Sequence, residues 1–422
     1  MRRLIVVAVL LGLGSWLGLS AIDSHASSAK KSDAEKIEAL RRQGPAALQR
    51  LLTEYDRLNK PAPNGLAKIT QARQTDLAEL ERTIDLVGGQ KGCVRSRLFW
   101  FTDLEQAKVE ATKTNKPILS LRLLGNLTDD LSCANSRFFR TTLYSNPELA
   151  QFLRDQFVLH WKPFAPVPRI TIDFGDGRKI VRTITGNSIH YVLTSDGQVV
   201  DGLPGLYGPK EFQQQLSAAQ AVAKEVGSQP AGSRFASLVT FHQQRLQELD
   251  KRWAEDRAKL ERSETPIAAT VTGKTLADLQ REQHPDFWQQ LAKLHRSDVQ
   301  LDPSSVAAIQ AMQPQAEAAG RLAMTKIVVE RPALRMVRNL IDNIALDTVR
   351  NEYALHSQIH TWLSAVPVEM EAFNDRVYAE LFLMPRSDPW LGLAPPDVFA
   401  ALPNGGLVLP NTPPPQATVS QR

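Results

Sequence analysis

The stretch Lys116-Pro117-Ile118-Leu119-Ser120-Leu121-Arg122-Leu123-Leu124-Gly125 places the tightest constraint on what this chain can become. An apolar-rich run bounded by proline and glycine, without clean polar alternation, reads as a strand covered on both faces. Such a strand belongs inside a sheet, so the rest of the chain has to supply neighbours on either side and helices above and below. Leu119, Leu121 and Leu123 should share one face, with Ile118 and Leu124 on the other. Just beyond it, Cys133-Ala134-Asn135-Ser136 opens what reads as a helix to Tyr144. A thiol at a helix start meets unpaired backbone N–H groups and the positive end of the dipole, which favour a thiolate.

The surrounding signals supply the neighbours. Arg97–Thr102 reads as a short aromatic strand, and Asp103 caps a helix to about Asn115. Asn146-Pro147 starts another helical segment, and Phe157–Trp161 returns as a strand. Asp176-Gly177 and Asp196-Gly197 each divide two β-rich runs, the signal of a hairpin. Pro209 then opens a last helix to about Val226. The order is β-α-β-α-α-β, a hairpin, then β-β-α.

These residues resemble the thioredoxin-like superfamily in its exported branch. The resemblance is carried by Trp100, Asp103-Leu104-Glu105-Gln106-Ala107, Asn115-Lys116-Pro117 and Cys133-Ala134-Asn135-Ser136, and distally by Gly186-Asn187-Ser188-Ile189, Asp196-Gly197 and Gly205. It covers residues 97–226 and implies an α/β thioredoxin-like sandwich, a central mixed sheet with a hairpin insertion. It also implies that Cys133 and Ser136 stand where the family's redox dithiol stands, and Ser188 where its cis-proline does. With serine at 136, Cys133 has no resolving thiol and cannot complete dithiol–disulfide exchange within its own motif. The expected function is therefore a non-catalytic binding or assembly module with a protein partner. The enzymatic alternative is a monothiol oxidoreductase or isomerase, with Cys133 as nucleophile and Ser136 stabilising the thiolate.

Met1-Arg2-Arg3, the apolar run Leu4–Leu19 and the small-residue site Ser24-His25-Ala26 predict a signal peptide over 1–26, and hence export to a periplasmic or extracellular space without membrane insertion after cleavage. In such a compartment Cys93 and Cys133 either pair as a disulfide or remain free, and the sequence leaves both open. A net charge of +5, scattered along the chain, gives no footing for nucleic acid.

Residues 33–88 read as an N-terminal helical hairpin, broken at Gly44-Pro45 and closed by Gly88-Gly89. Residues 234–400 read as a helical C-terminal domain and 403–422 as a disordered Pro-rich tail. Within the helical domain, Glu352, His356 and His360 fall at i, i+4 and i+8. One face could therefore offer a carboxylate and two imidazoles to a metal or a haem. The zinc-protease signature fails, because Ser357 rather than glutamate follows His356. Covalent haem attachment is excluded by the absence of Cys-x-x-Cys-His. The plainer expectation is a polar network buried against residues 370–393. The loop 385–393 is expected to bury Trp390 and its neighbouring leucines.

Overall fold

The computed structural model describes residues 33–60, 71–260, 285–311 and 340–394, with a few single positions besides. The leader expected at 1–26, and all but one residue of the 403–422 tail, lie outside the described residues. The chain divides into two units, Met1–Met370 and Glu371–Arg422.

The N-terminal helices are α1 (residues 33–42), α2 (Pro45–Asn59) and α3 (Gln71–Gly88). They close on a core of Leu48, Leu52, Ile84, Val87, Cys93 and Phe99. This hairpin is fastened to the sheet. The Arg41 guanidinium donates to the carbonyls of Val87 and Trp100, both at 2.9 Å. The Trp161 indole N–H donates to Gly89 O at 2.7 Å. Gly89 has φ +71°, and a Cβ there would lie 2.8 Å from Trp100 O, so only glycine lets the two layers approach this closely.

Among the described residues seven strands follow in chain order: β1 (Trp100–Phe101), β2 (Ile118–Leu124), β3 (Val158–Ala165), β4 (Arg169–Asp173), β5 (Lys179–Thr183), β6 (Ser188–Leu193) and β7 (Val199–Pro204). Five of them form one mixed sheet in the order β1-β3-β2-β6-β7. β1 and β2 run parallel to β3, while β6 runs antiparallel to both β2 and β7. β2 is thus the middle strand, and all seven of its residues are buried, as its apolar run requires. Leu121 lies in register with Trp161 and His190. The opposite face hides a polar seam: Arg122 Nη1 donates to Ser120 Oγ at 2.7 Å, and Ser120 Oγ bonds His160 Nδ1 at 2.8 Å.

Helices α4 (Leu104–Thr114), α5 (Ala134–Phe138), α6 (Pro147–Gln156) and α7 (Pro209–Ser228) connect and cover these strands. Asp103 and Asn146 cap α4 and α6, accepting N–H bonds from Gln106 and Leu149. Helix α5 continues as a π-helical turn, Phe139–Leu143. β4 and β5 form a separate two-stranded ribbon that leaves Ile170, Ile172, Phe174 and Ile180 exposed. The root of the ribbon lies on α5: Arg137 donates to Thr183 Oγ1 at 2.6 Å, and the Ala134 N–H to Thr185 O at 3.4 Å.

The helical layer comprises α8 (Ala231–Leu260), α9 (Pro285–Leu294), α10 (Pro303–Ala311) and α11 (Leu340–Arg350). α11 runs through a π-helical stretch, Asn351–His356, into α12 (Ser357–Ala365). Its core packs Trp253 against Trp288 and Tyr353, with ring centres 5.7 and 5.0 Å apart. α12 lies along α8, and with the π-helical stretch it meets β7. At the unit boundary stands α13 (Met370–Arg376), followed by a π-helical turn, Val377–Leu381. The loop after it is ordered by Asp388, whose carboxylate accepts the N–H groups of Trp390 and Gly392. Trp390 is 36% and Leu393 41% exposed, so the burial expected for them is corrected: backbone turns organise this loop. Among the described residues, no helix is long and apolar enough to cross a membrane.

Candidate functional site

Cys133 stands where its sequence context placed it, between the buried end of β2 and the first turn of α5. Its backbone N–H donates to Leu124 O at 3.3 Å, and its Sγ accepts the Ser136 N–H at 3.4 Å. Ser136 Oγ turns away from the sulfur and donates to the Cys133 carbonyl at 2.9 Å. Ser188 faces this turn, since Asn135 Nδ2 donates to its Oγ at 2.9 Å. Gly186 makes that approach feasible: a Cβ there would lie 2.5 Å from Asn135 Oδ1. Cys133, Ser136 and Ser188 therefore come together in one place.

The place is closed. Cys133, Ser136 and Ser188 are each 0% exposed. Two surface clefts of about 490 and 420 Å³ flank the turn, and neither is lined by Cys133 or Ser136. The neighbouring cations are committed elsewhere: Arg137 donates to Ser132 O and Arg140 to Ser132 Oγ, both at 2.9 Å. The disulfide left open between Cys93 and Cys133 is not formed; both are free, buried thiols. Cys93 belongs to the N-terminal core, where its Sγ donates to Leu98 O at 3.3 Å and burial pushes its thiol up.

A second cluster lies at the far edge of the sheet. Asp201 is on β7, His242 on α8, and His356 and His360 on the two halves of the π-to-α junction. None is more than 1% exposed. His356 Nε2 bonds Asp201 Oδ1 at 3.0 Å, and His360 Nδ1 lies 3.6 Å from the same oxygen. His242 Nδ1 and His360 Nδ1 are 2.9 Å apart. One ligand atom each from Asp201, His242 and His360 falls within 4.8 Å of the others, a buried carboxylate–imidazole–imidazole group of a kind that can hold a metal ion. Burial pushes His242 down to about 4 and His360 well below its ordinary value. Burial alone would raise the Asp201 carboxyl, but His356, which bonds its Oδ1, holds it below the usual range. The Gly202 N–H also donates to Asp201 Oδ1, at 2.8 Å, fixing the side chain.

Glu352 does not join the histidines, which corrects the three-residue face expected from spacing. The π-helical stretch has wider turns than an α-helix, so residues four apart across it no longer stack. Glu352 turns instead to α7 and α8. It pairs with Arg252, whose Nη2 is 3.3 Å from Oε2, and lies 3.4 Å from Gln215 Nε2. Arg252 also reaches Glu211, at 3.3 Å. Burial, and then the charge of Glu211, push the Glu352 carboxyl up to about 8 against the pull of Arg252. Asp201 and His242 were not singled out from sequence: Asp201 is a lone polar residue in its strand, His242 is one of many polar residues along α8, and only the tertiary fold brings them to α12.

No family model matches the sequence, and no curated protein or solved structure is significantly similar to it.

Proposed function

We propose that residues 97–226 are a thioredoxin-like module of an exported protein, and that the module binds or assembles rather than catalyses. The fold part of this reading is supported by the β1-β3-β2-β6-β7 order, the antiparallel β6, and a cysteine capping the helix after the central strand. The observation that carries the functional part is the complete burial of Cys133 and Ser136, because a nucleophile must reach its substrate. The helical layer and the N-terminal hairpin, both fastened to the sheet, would offer the surface for a protein partner.

The test is alkylation of the native protein with iodoacetamide, alongside a turnover assay with a disulfide substrate. Cys133 should react at least a hundredfold more slowly in the native protein than in urea, with no turnover. Multiple turnovers abolished by Cys133→Ser would instead establish the monothiol enzyme.

A second reading, that the helical region holds a cofactor, is favoured in its metal form by the convergence of Asp201, His242 and His360. Haem is not favoured, since the imidazoles bond one another and Asp201 across 2.9–3.6 Å and leave no slot for a macrocycle.

A further inference from the structure

We propose that β4 is a homodimerisation edge, along which two copies of this chain pair antiparallel about Thr171 and join their ribbons into one four-stranded sheet. This rests on the assembly reading and gives it a surface and a partner; its failure would leave the burial of Cys133, which carries that reading, untouched. The ribbon of β4 and β5 is incomplete as it stands. Every residue from 169 to 182 is exposed, on both faces. Among the described residues the ribbon has two strands only, so each outer edge carries unpaired backbone groups. A two-stranded ribbon is marginal in water, and further strands with an apolar face are what usually secure it. An unpaired edge of this kind is a template for another strand.

The sequence of β4 selects the partner. The Phe174 N–H donates to Arg178 O and the Ile184 N–H to Pro168 O, with regular pairing between them. Hydrogen-bonded pairs alternate along an antiparallel ladder. Ile170 and Ile172 therefore aim their backbone groups at β5, while Arg169, Thr171 and Asp173 aim theirs outward. Arg169-Ile170-Thr171-Ile172-Asp173 matches its own reverse. With Thr171 on a two-fold axis, Arg169 of one copy lies opposite Asp173 of the other and Ile170 opposite Ile172, and both pairs recur across the axis. An axis at Arg169 or Asp173 would oppose like charges. An axis at either isoleucine would turn the backbone groups the wrong way.

β5 offers no such edge. Self-pairing about Val181 would set Ile180 against Arg182, and Thr183 at its root is buried and tied to Arg137. In the β4 pairing, Ile170, Ile172 and Ile180 of both copies share one face of the new sheet. The same register carries Phe174, at the tip of one ribbon, opposite Pro168 of the other. Phe174 is 53% exposed, and Val167, next to Pro168, lines the cleft of about 490 Å³ with Pro163 and Pro166. The exposed ring thus arrives beside an apolar wall. The five residues of β4 are fewer than the roughly 20–30 of a standard interface, so the dimer should be weak, with a Kd of roughly 10–100 µM.

The experiment is sedimentation velocity on the full chain across that concentration range, with an oxidative cross-linking arm. A reversible dimer is expected. Arg169→Asp should weaken it at least about tenfold, because two attractive cross-strand pairs become repulsive. Adding Asp173→Arg to that variant should restore the dimer, since both pairs re-form in reverse. Thr171→Cys should close a disulfide between copies, as a hydrogen-bonded pair holds its Cα atoms about 5.5 Å apart, within disulfide reach. Cys93 and Cys133 are buried and do not compete. All three substituted side chains are exposed, which spares the fold. A chain that stays monomeric throughout, leaving the edge to a different protein, would overturn the proposal. So would a dimer indifferent to Arg169→Asp, or one that fails to cross-link through Thr171→Cys.

Discussion

Replacing Arg252 by methionine is expected to destabilise the fold by about 3 kcal/mol, measured as a fall in the urea midpoint. Arg252 is shared between Glu211 and Glu352, which are 6% and 1% exposed at their side chains. Removing one partner of a buried ionic group typically costs roughly 3–5 kcal/mol, because the remaining charge is stranded away from water. The Arg252 side chain is itself 34% exposed, which places the expected cost at the lower end. Methionine keeps the apolar stem and removes only the cation. Glu352→Gln in the same background should restore little, since burial already pushes that carboxyl towards its neutral form. A loss below about 1 kcal/mol would show that the two carboxyls already share a proton without the arginine's help.

The buried imidazoles of the sheet should each make the protein lose stability as the pH falls. His160 and His190 are fully buried, and burial pushes both down to about 3, with Arg122 and Lys162 adding to the effect at His160. In the unfolded chain an imidazole titrates near 6.5. Between these values the unfolded state binds the proton and the folded state does not, so stability falls as pH falls. Each imidazole contributes a slope of up to about 1.4 kcal/mol per pH unit. Between pH 6.5 and 5 the raised carboxyls of Glu352 and Asp347 act in the opposite sense, holding protons in the folded chain that the unfolded chain has lost, so the imidazole effect is read as the difference between the parent and a histidine variant. His190→Gln should keep a partner for the Tyr144 hydroxyl, now 2.6 Å from His190 Nε2, and remove one imidazole's share of the slope. A pH slope of the urea midpoint that His190→Gln leaves unchanged would show that the interior admits the proton.

Much of the sheet was legible because local chemistry and global position agree. A run bounded by Lys116-Pro117 and Gly125 has one comfortable place, the middle of a sheet, and β2 occupies it. The caps at Asp103 and Asn146, and the positive φ at Gly177 and Gly197, are demands of single residues and were readable one at a time. The seam of Ser120, Arg122 and His160 was hidden, because a hydrogen-bond partner on a neighbouring strand leaves no trace in either strand alone. The histidine cluster was half legible. His356 and His360 announced themselves by spacing within a helix, but Asp201 and His242 are joined to them only by packing. Glu352 was misassigned because an α-helical period was carried across a π-helical stretch that the composition does not mark.

The ribbon of β4 and β5 bears on the surroundings of the Cys133 thiol. β3 and β6 flank β2, so a direct link between them has to cross only about two strand spacings, roughly 10 Å. The chain instead spends residues 166–187 on the excursion, and the root of that excursion lies across α5 on both sides of Cys133. An excursion of this kind separates the identity of a side chain from its availability: Cys133 keeps its place at the start of α5, while the segment tied to that turn bears on what can meet it.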